Sequence, residues 1–552
     1  MDPSAFKQIF DDNQRKVFNI CLNMLQSIQV SSLILIIDKT KHLIPQFFNI
    51  IRTVNFTMKT PKIITILVSL YILMLIPGTL QSQSLTYPIV GTGVTQCYGN
   101  TTPIACPTNT TDAFYGQFQG TTPSYQNNGN GTISDLNTGL MWVQARGAKI
   151  TWDSAFIMAA QCNVGGYNDW RVPTIKELYS LINFNGRSGQ YASTCIAYID
   201  TTYFQFAYGN LSIGERIIDA QDWSANQYTA LTMMADTTIF GVNFIDGRIK
   251  GYPKYVPPTT VTRQKMHIRY VRGNTSYGLN NFSDNADSTI TDHTTGLMWP
   301  KYDAGVGMNW ENALAYAQTK NTQNYLGHND WRLPHAKELQ SIVDYSRSPD
   351  ATASAAINPV FNCTSITDEG GNTNYPFYWT STTHLDNMGG VYVTFGEALG
   401  YMKMPPNATY YTLKDVHGAG AQRSDPKSGN PHSVQFYLGV NQAGDSVFGR
   451  GPQGDVQRIN NFVRLVRTVS GSEGINENNN NPWKVYPNPF TDNIHVDNTT
   501  GKEIYELRNL MGQIIWKGMQ VEQHNFSSLP SGVYFLKVDN ITTSQVIKLI
   551  KK

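Results

Sequence analysis

The sequence uses one stretch twice. Residues 128–182 contain NGNGTISDLNTGLMW, TWDSAFIMAAQC and YNDWRVPTIKELYSLI in that order. Residues 285–343 contain NADSTITDHTTGLMW, NWENALAYAQTK and HNDWRLPHAKELQSIV. Thr-Gly-Leu-Met-Trp recurs at 138–142 and 295–299, and Asn-Asp-Trp-Arg at 168–171 and 329–332. A repeat constrains the fold before any local pattern does, because each copy must form the same supersecondary unit. Two related globular domains in tandem are expected, in a 552-residue chain with room for roughly three or four domains.

Local patterning gives each copy the same elements. Thr151 is an N-cap with Asp153 in the first turn, and Trp152, Ala155, Phe156, Ala159 and Ala160 form one helical stripe expected to be buried. Asn309, Glu311, Trp310, Ala313, Leu314 and Ala317 mirror it. A second short helix follows the Trp-Arg-x-Pro turn, opened by the capping box Thr174/Glu177; in the second copy His335 replaces the threonine, so that box is expected to be half lost. Strand-like runs follow at 222–225, 241–244 and 268–272, and at 378–381, 391–395 and 462–467. The closing runs alternate apolar and basic residues, as half-buried strands do. The predicted fold class is α+β, two helices packed on antiparallel strands in each copy.

Residues 58–83 carry Lys59 and Lys62 ahead of the apolar run 63–76, then Pro77-Gly78 and a cleavage site ending at Ser82. The run falls short of the roughly 20 residues of a membrane span, so 58–82 reads as a cleaved signal peptide. Residues 1–57 precede that start and read as an over-extended N-terminus, and 83–124 as the first exported segment. Export places the cysteines in an oxidising compartment. Cys97 and Cys106 are expected to clip a loop, and Cys162 and Cys195 to staple the first repeat; Cys363 is left over. Neither CxxC nor a His/Cys ligand spacing for structural zinc occurs.

Net charge is +2 with 15% charged residues, which excludes a polybasic nucleic-acid binder. Trp142, Trp152, Trp170, Trp299, Trp310 and Trp331 recur inside apolar patterns and are read as core. Asp169 with Arg171, and Asp330 with Arg332, are expected to fix the turn before the second helix. The loop 128–132 ahead of Asp135, and its counterpart with Asp284, Asp287 and Asp292, resembles a calcium loop in spacing but reads better as a turn; metal is left open. The second copy holds about sixty residues after Gly400-Tyr401 where the first has near fifteen after Gly251-Tyr252. Long loops in compact domains carry function, so His417, Arg423, Asp425 and Lys427 are the candidate ligand contacts. For catalysis, neither G-x-S-x-G nor H-E-x-x-H occurs, Cys363 has no local His, and His417 with Asp415 is a base and orienter only two residues apart.

The order D-x-x-T-G-L-M-W, helix, N-D-W-R-[VL]-P-x-x-K-E-L, [YD]-W-[ST]-[AS] and a closing V-R resembles the Lcl C-terminal domain over about 125–273 and 280–468. That resemblance implies C-type-lectin-like modules, secreted or at the surface, in some members adhesins for sulfated glycans and without established catalysis. A linker at 469–482 follows. VYPNPF at 485–490, NLMGQ at 509–513, LPSGVYFLKV at 529–538 and the terminal KLIKK resemble a type IX secretion sorting domain over 483–552, a small all-β Ig-like sandwich. It implies export across an outer membrane and contact with that machinery. The resulting expectation is a secreted or cell-surface protein that binds a glycan or another surface protein, without a cofactor. The alternatives are an extracellular enzyme or an envelope scaffold.

Overall fold

In a computed structural model, residues 87–551 are described apart from 118–119, 257–260, 470–482, 498, 500, 510–513, 531 and 541–543. The expected signal peptide, the segment before it and most of the linker lie outside the described residues. Within the first repeat, helix α1 (Trp152–Gln161) starts where the Thr151 side chain accepts from the Ser154 amide, and α2 (Ile175–Ser180) is opened by the Thr174/Glu177 box. In the second, α3 (Trp310–Thr322) is capped by Asn309 and α4 (Ala336–Ser341) by His335. The expectation that the His335 box is half lost is overturned. The Glu338 amide donates to His335 Nδ1 at 3.4 Å, and the His335 amide donates to Glu338 Oε2 at 3.0 Å.

Strands carry most of the architecture. Each repeat has a four-stranded sheet in which its closing residues pair with the Leu-Met-Trp strand: Val271–Gly273 against Leu140–Val143, and Arg467–Thr468 against Leu297–Pro300. The largest sheet has six strands and belongs to both repeats. The first contributes β1 (Gln221–Thr232), β2 (Asp236–Asn243) and β3 (Arg248–Pro253); the second contributes β4 (Phe377–His384), β5 (Gly389–Thr394) and β6 (Gln422–Asp425). Their order is β4-β5-β6-β3-β2-β1, antiparallel throughout, and the Gln422↔Ile249 pairing joins the copies. Strand β6 comes from the long insertion, so that segment supplies the joint between the repeats.

One face of this sheet lies on a shared core. Ile175 and Leu178 of α2, Ala336 and Leu339 of α4, and Phe240, Val242, Ile249, Val391 and Val393 of the strands all belong to it. Two lysines at matched repeat positions fasten the helices reciprocally: Lys176 Nζ donates to the Ser341 carbonyl at 2.6 Å, and Lys337 Nζ to the Ser180 carbonyl at 2.7 Å. The opposite face carries two separate smaller cores. Trp223, Ile239, Met266 and Ile268 pack with Ala155 and Ala159 of α1; Trp379, Tyr392 and Val463 pack with Trp310 and Leu314 of α3.

Several expectations are corrected. The α+β C-type-lectin-like class does not hold: the described residues are mostly β, a set of small sheets, and the helices among them are short and few. The helical stripes were strong local signals, whereas strands of two to four residues have too little periodicity to register. Phe156 and Ala160 face outward rather than into the stripe. The closing runs are not half-buried, because Arg269 and Arg464 point inward. Arg269 donates to the carbonyls of Val143 and Gln205, and Arg464 to those of Pro300 and Asn362. Cys97 and Cys106 form a disulfide, but Cys162 and Cys195 are free thiols. Cys195 Sγ is held inside its own loop, accepting from the Gly189 amide at 3.2 Å, while Cys162 caps the end of α1.

From Trp483 onward a two-stranded and a four-stranded sheet enclose Trp483, Phe490, Leu507, Phe526, Tyr534 and Leu536.

Candidate functional site

Side chains alternate across a strand, so β3 turns Ile249 into the shared core and Arg248, Lys250 and Tyr252 to the opposite face. On that face one cross-strand series runs Trp379, Tyr392, Arg423 and the other Trp223, Gly241, Lys250. The ends of the sheet are therefore roofed by the two outer cores, and the middle, at the seam, is cationic and open. The result is a cleft of about 1310 Å³ lined by both repeats and the insertion. Eight Lys or Arg and five Asp or Glu line it, a net excess of three positive charges.

The floor is held by ion pairs. Asp246 accepts from Lys250 and lies 3.6 Å from Arg248. Burial alone would raise the Asp246 carboxyl, but Lys250 and Arg248 outweigh it and hold it at about 2. Burial lowers the Lys250 ammonium to about 8 against the pull of Asp246. Asp455 bridges Arg423 and His417, with His417 Nε2 3.1 Å from its Oδ1. Burial disfavours the Asp455 charge, yet Arg423 and His417 keep it well below the usual carboxylate range. His417 is pushed down to about 4 by burial and then by Arg423, so the ring is neutral. On the rim, Arg450 and Lys265 are exposed.

The four insertion residues singled out by sequence are placed differently. His417 and Arg423 line the cleft wall as a buried pair on Asp455. Asp425 lies behind it, accepting from the Arg458 and Ile459 amides and from Asn461, with its carboxyl pushed up to about 6 by burial. Lys427 is buried under the N-terminal segment, donating to the Gly99 carbonyl at 2.7 Å. The His417 ring pairs with Asp455 rather than with Asp415, which accepts from the Tyr228 hydroxyl and from the His417 and Gly418 amides.

The side chains of the repeat signature are bonded within the fold in both copies. Trp142 and Trp299 are fully buried, and the indoles of Trp170 and Trp331 donate to the carbonyls of Val164 and Tyr325. Arg171 and Arg332 make bidentate bonds to Glu177 and Glu338, the acids of the capping boxes. Asp169 and Asp330 take Arg272 and Arg467 of the closing runs instead. The calcium-like loops are turns: Asn130 and Asp287 cap the amides of Thr132 and Thr289, and Asp284 pairs with Lys301. Among the described residues no group of three or more metal-ligating side chains occurs. The Cys363 thiol, 3.1 Å from the Tyr378 hydroxyl, is raised to about 11 by burial. Sequence reading missed Arg248, Lys250 and Arg450; the polar–apolar alternation Arg248-Ile249-Lys250 was the available signal for the first two.

The Lcl C-terminal domain matches residues 131–272 and 288–416, and the secretion system C-terminal sorting domain matches 484–552. No curated protein matches the sequence. Among solved structures, PorZ, a surface component of the type IX secretion system of Porphyromonas gingivalis, aligns at 11% identity with a TM-score of 0.12. That alignment covers 70% of this chain and 50% of PorZ. The sorting domain makes this a protein exported by type IX secretion, to the medium or the outer surface.

Proposed function

We propose that this chain, a tandem of Lcl C-terminal domains followed by a type IX sorting domain, is a non-catalytic surface binding protein that takes one acidic glycan segment in the seam cleft. The observation that carries this reading is the bare centre of the six-stranded sheet, where Lys250, Arg423 and the rim residue Arg450 converge between two roofed ends. A cleft of about 1310 Å³ is larger than most small-molecule sites of roughly 300–1,000 Å³ and suits several linked sugar units. Excess positive charge between low-dielectric walls favours an anionic ligand and makes binding weaken with salt.

Because both repeats line one cleft, the stoichiometry is one ligand per chain. Titration calorimetry of the exported protein with acidic and neutral oligosaccharides tests this. The expected result is one site for the acidic series, weakened at least tenfold by Arg450→Ala and by raised salt. Two equal sites, or equal affinity for neutral sugars, would refute it.

A further inference from the structure

Lys176 of α2 and Asn280 meet at the joint of the two copies. Asn280 stands just before the opening strand of the second copy, Phe282–Asp284. Lys176 Nζ lies 2.8 Å from Asn280 Oδ1, and it also donates to the main-chain carbonyls of Ser341 at 2.6 Å and Gly278 at 3.2 Å. On the other side of the same carboxamide, Asn280 Nδ2 donates to Asp292 Oδ2 at 2.8 Å. Asp292 is fully buried and is fixed there by the Asn281 amide and the Thr295 hydroxyl, both at 2.9 Å. An amine, a carboxamide and a carboxylate thus stand in sequence, each touching the next.

A carbonyl carbon lies about 1.23 Å from its oxygen, so Asn280 Cγ is no farther than about 4 Å from Lys176 Nζ, a small side-chain adjustment away from a near-attack contact of about 3–3.5 Å. Burial lowers the Lys176 ammonium to about 8, against the pull of Asp292 and Asp344, which makes the neutral amine accessible near neutral pH. A neutral amine has two N–H groups and one lone pair. The Ser341 and Gly278 carbonyls take the two N–H groups, which leaves the lone pair directed at the carboxamide. The sister lysine lacks this arrangement. Lys337 donates to the Ser180 carbonyl, and the position that matches Asn280 by its spacing to Asp292 is Pro123, ahead of Asp135.

We propose that Lys176 and Asn280 condense into an amide cross-link that ties the two copies together covalently, with Asp292 carrying the proton. The neutral Lys176 Nζ attacks Asn280 Cγ, and the carbonyl electron pair moves to Oδ1. In the tetrahedral adduct Nζ and Nδ2 share one carbon, so Asp292 Oδ2, already beside Nδ2, takes a proton from Nζ and delivers it to Nδ2. Collapse re-forms the carbonyl and expels Nδ2. One Nζ–Cγ bond forms, one Cγ–Nδ2 bond breaks and one ammonia leaves. Nothing is oxidised or reduced, and every reacting atom belongs to the chain.

Tandem mass spectrometry of a tryptic digest of the exported protein tests this. Trypsin does not cut after an acylated lysine, so the expected product is one branched peptide, 172–187 joined to 273–301, lighter by one ammonia than the two peptides together. Fragment ions should place the branch at Lys176 and Asn280. Asn280→Ala should abolish the branched peptide and restore cleavage after Lys176. Asp292→Asn, which keeps the shape of the side chain, should lower the cross-linked fraction at a fixed time after synthesis at least tenfold, in protein with an unaltered circular dichroism spectrum. Recovery of 172–176 and 273–301 as separate peptides of unaltered mass from the native protein overturns the proposal. So does a branch that survives Asn280→Ala, and an unchanged fraction in Asp292→Asn removes Asp292 from the reaction.

Discussion

Replacing Lys337 by methionine should change how the stability of the protein responds to pH. Lys337 is buried at the junction of the repeats with the Ser180 carbonyl as its hydrogen-bond partner, and burial lowers its ammonium from 10.5 to about 7 against a weaker pull from Asp135. The folded state therefore holds fewer protons than the unfolded chain between pH 7 and 10.5, and stability must rise with pH across that window. One proton per molecule gives a slope of about 1.4 kcal/mol per pH unit, so the group adds about 2–3 kcal/mol between pH 7.5 and 9.5. Below pH 7 both states are protonated and the slope vanishes. Methionine keeps the chain length and removes the charge, so the mutant curve should be flatter by that amount. Lys176 and Lys250, both lowered to about 8 by burial, contribute equally to the two proteins and cancel in the difference. Urea denaturation of both proteins at half-unit pH intervals measures it. Parallel curves from pH 7 to 9.5 would refute the buried, uncompensated ammonium.

Three further outcomes follow from the same structure. Arg332→Ala leaves Glu338 buried without its bidentate partner and should cost about 3–5 kcal/mol in chemical denaturation. Burial favours the protonated Glu338 carboxyl but Arg332 holds it at about 2, so this stability is present above pH 4.5 and is lost as pH falls toward 2; the variant should lack that acid limb. Alkylation of the unreduced protein in denaturant should label Cys162, Cys195 and Cys363 and spare Cys97 and Cys106, read by intact mass; loss of label from Cys162 and Cys195 would restore the staple between them. Cys97→Ser opens the clip that places Gly99 over Lys427, and should lower stability by about 2–3 kcal/mol, the scale for a short closed loop, with increased protease cutting near Phe114.

Much was legible in the chain because it is written locally. Thr151, Asn309 and Thr174 announce their helices within a few residues, and the caps form where the side chains stand. The repeat itself is a comparison of the sequence with itself and needs no structure, and the sorting tail is a set of short motifs. The disulfide of Cys97 and Cys106 was readable because the two lie only nine positions apart, whereas Cys162 and Cys195 needed a fold to say whether they meet.

What the sequence alone determined is therefore the repeat, its helices and the address carried by the tail. What only the tertiary structure decided is how the copies join. Gln-Arg-Ser-Asp at 422–425 has no apolar alternation to mark it as a strand, yet it fills the centre of a sheet because its neighbours β5 and β3 present unpaired edges there. That pairing is a contact between residues more than 170 positions apart, as Ile249 and Gln422 are, and local propensity carries no information about it. The cleft is a consequence of the same junction: two outer cores close over the ends of one sheet, and the charged middle stays open where neither reaches.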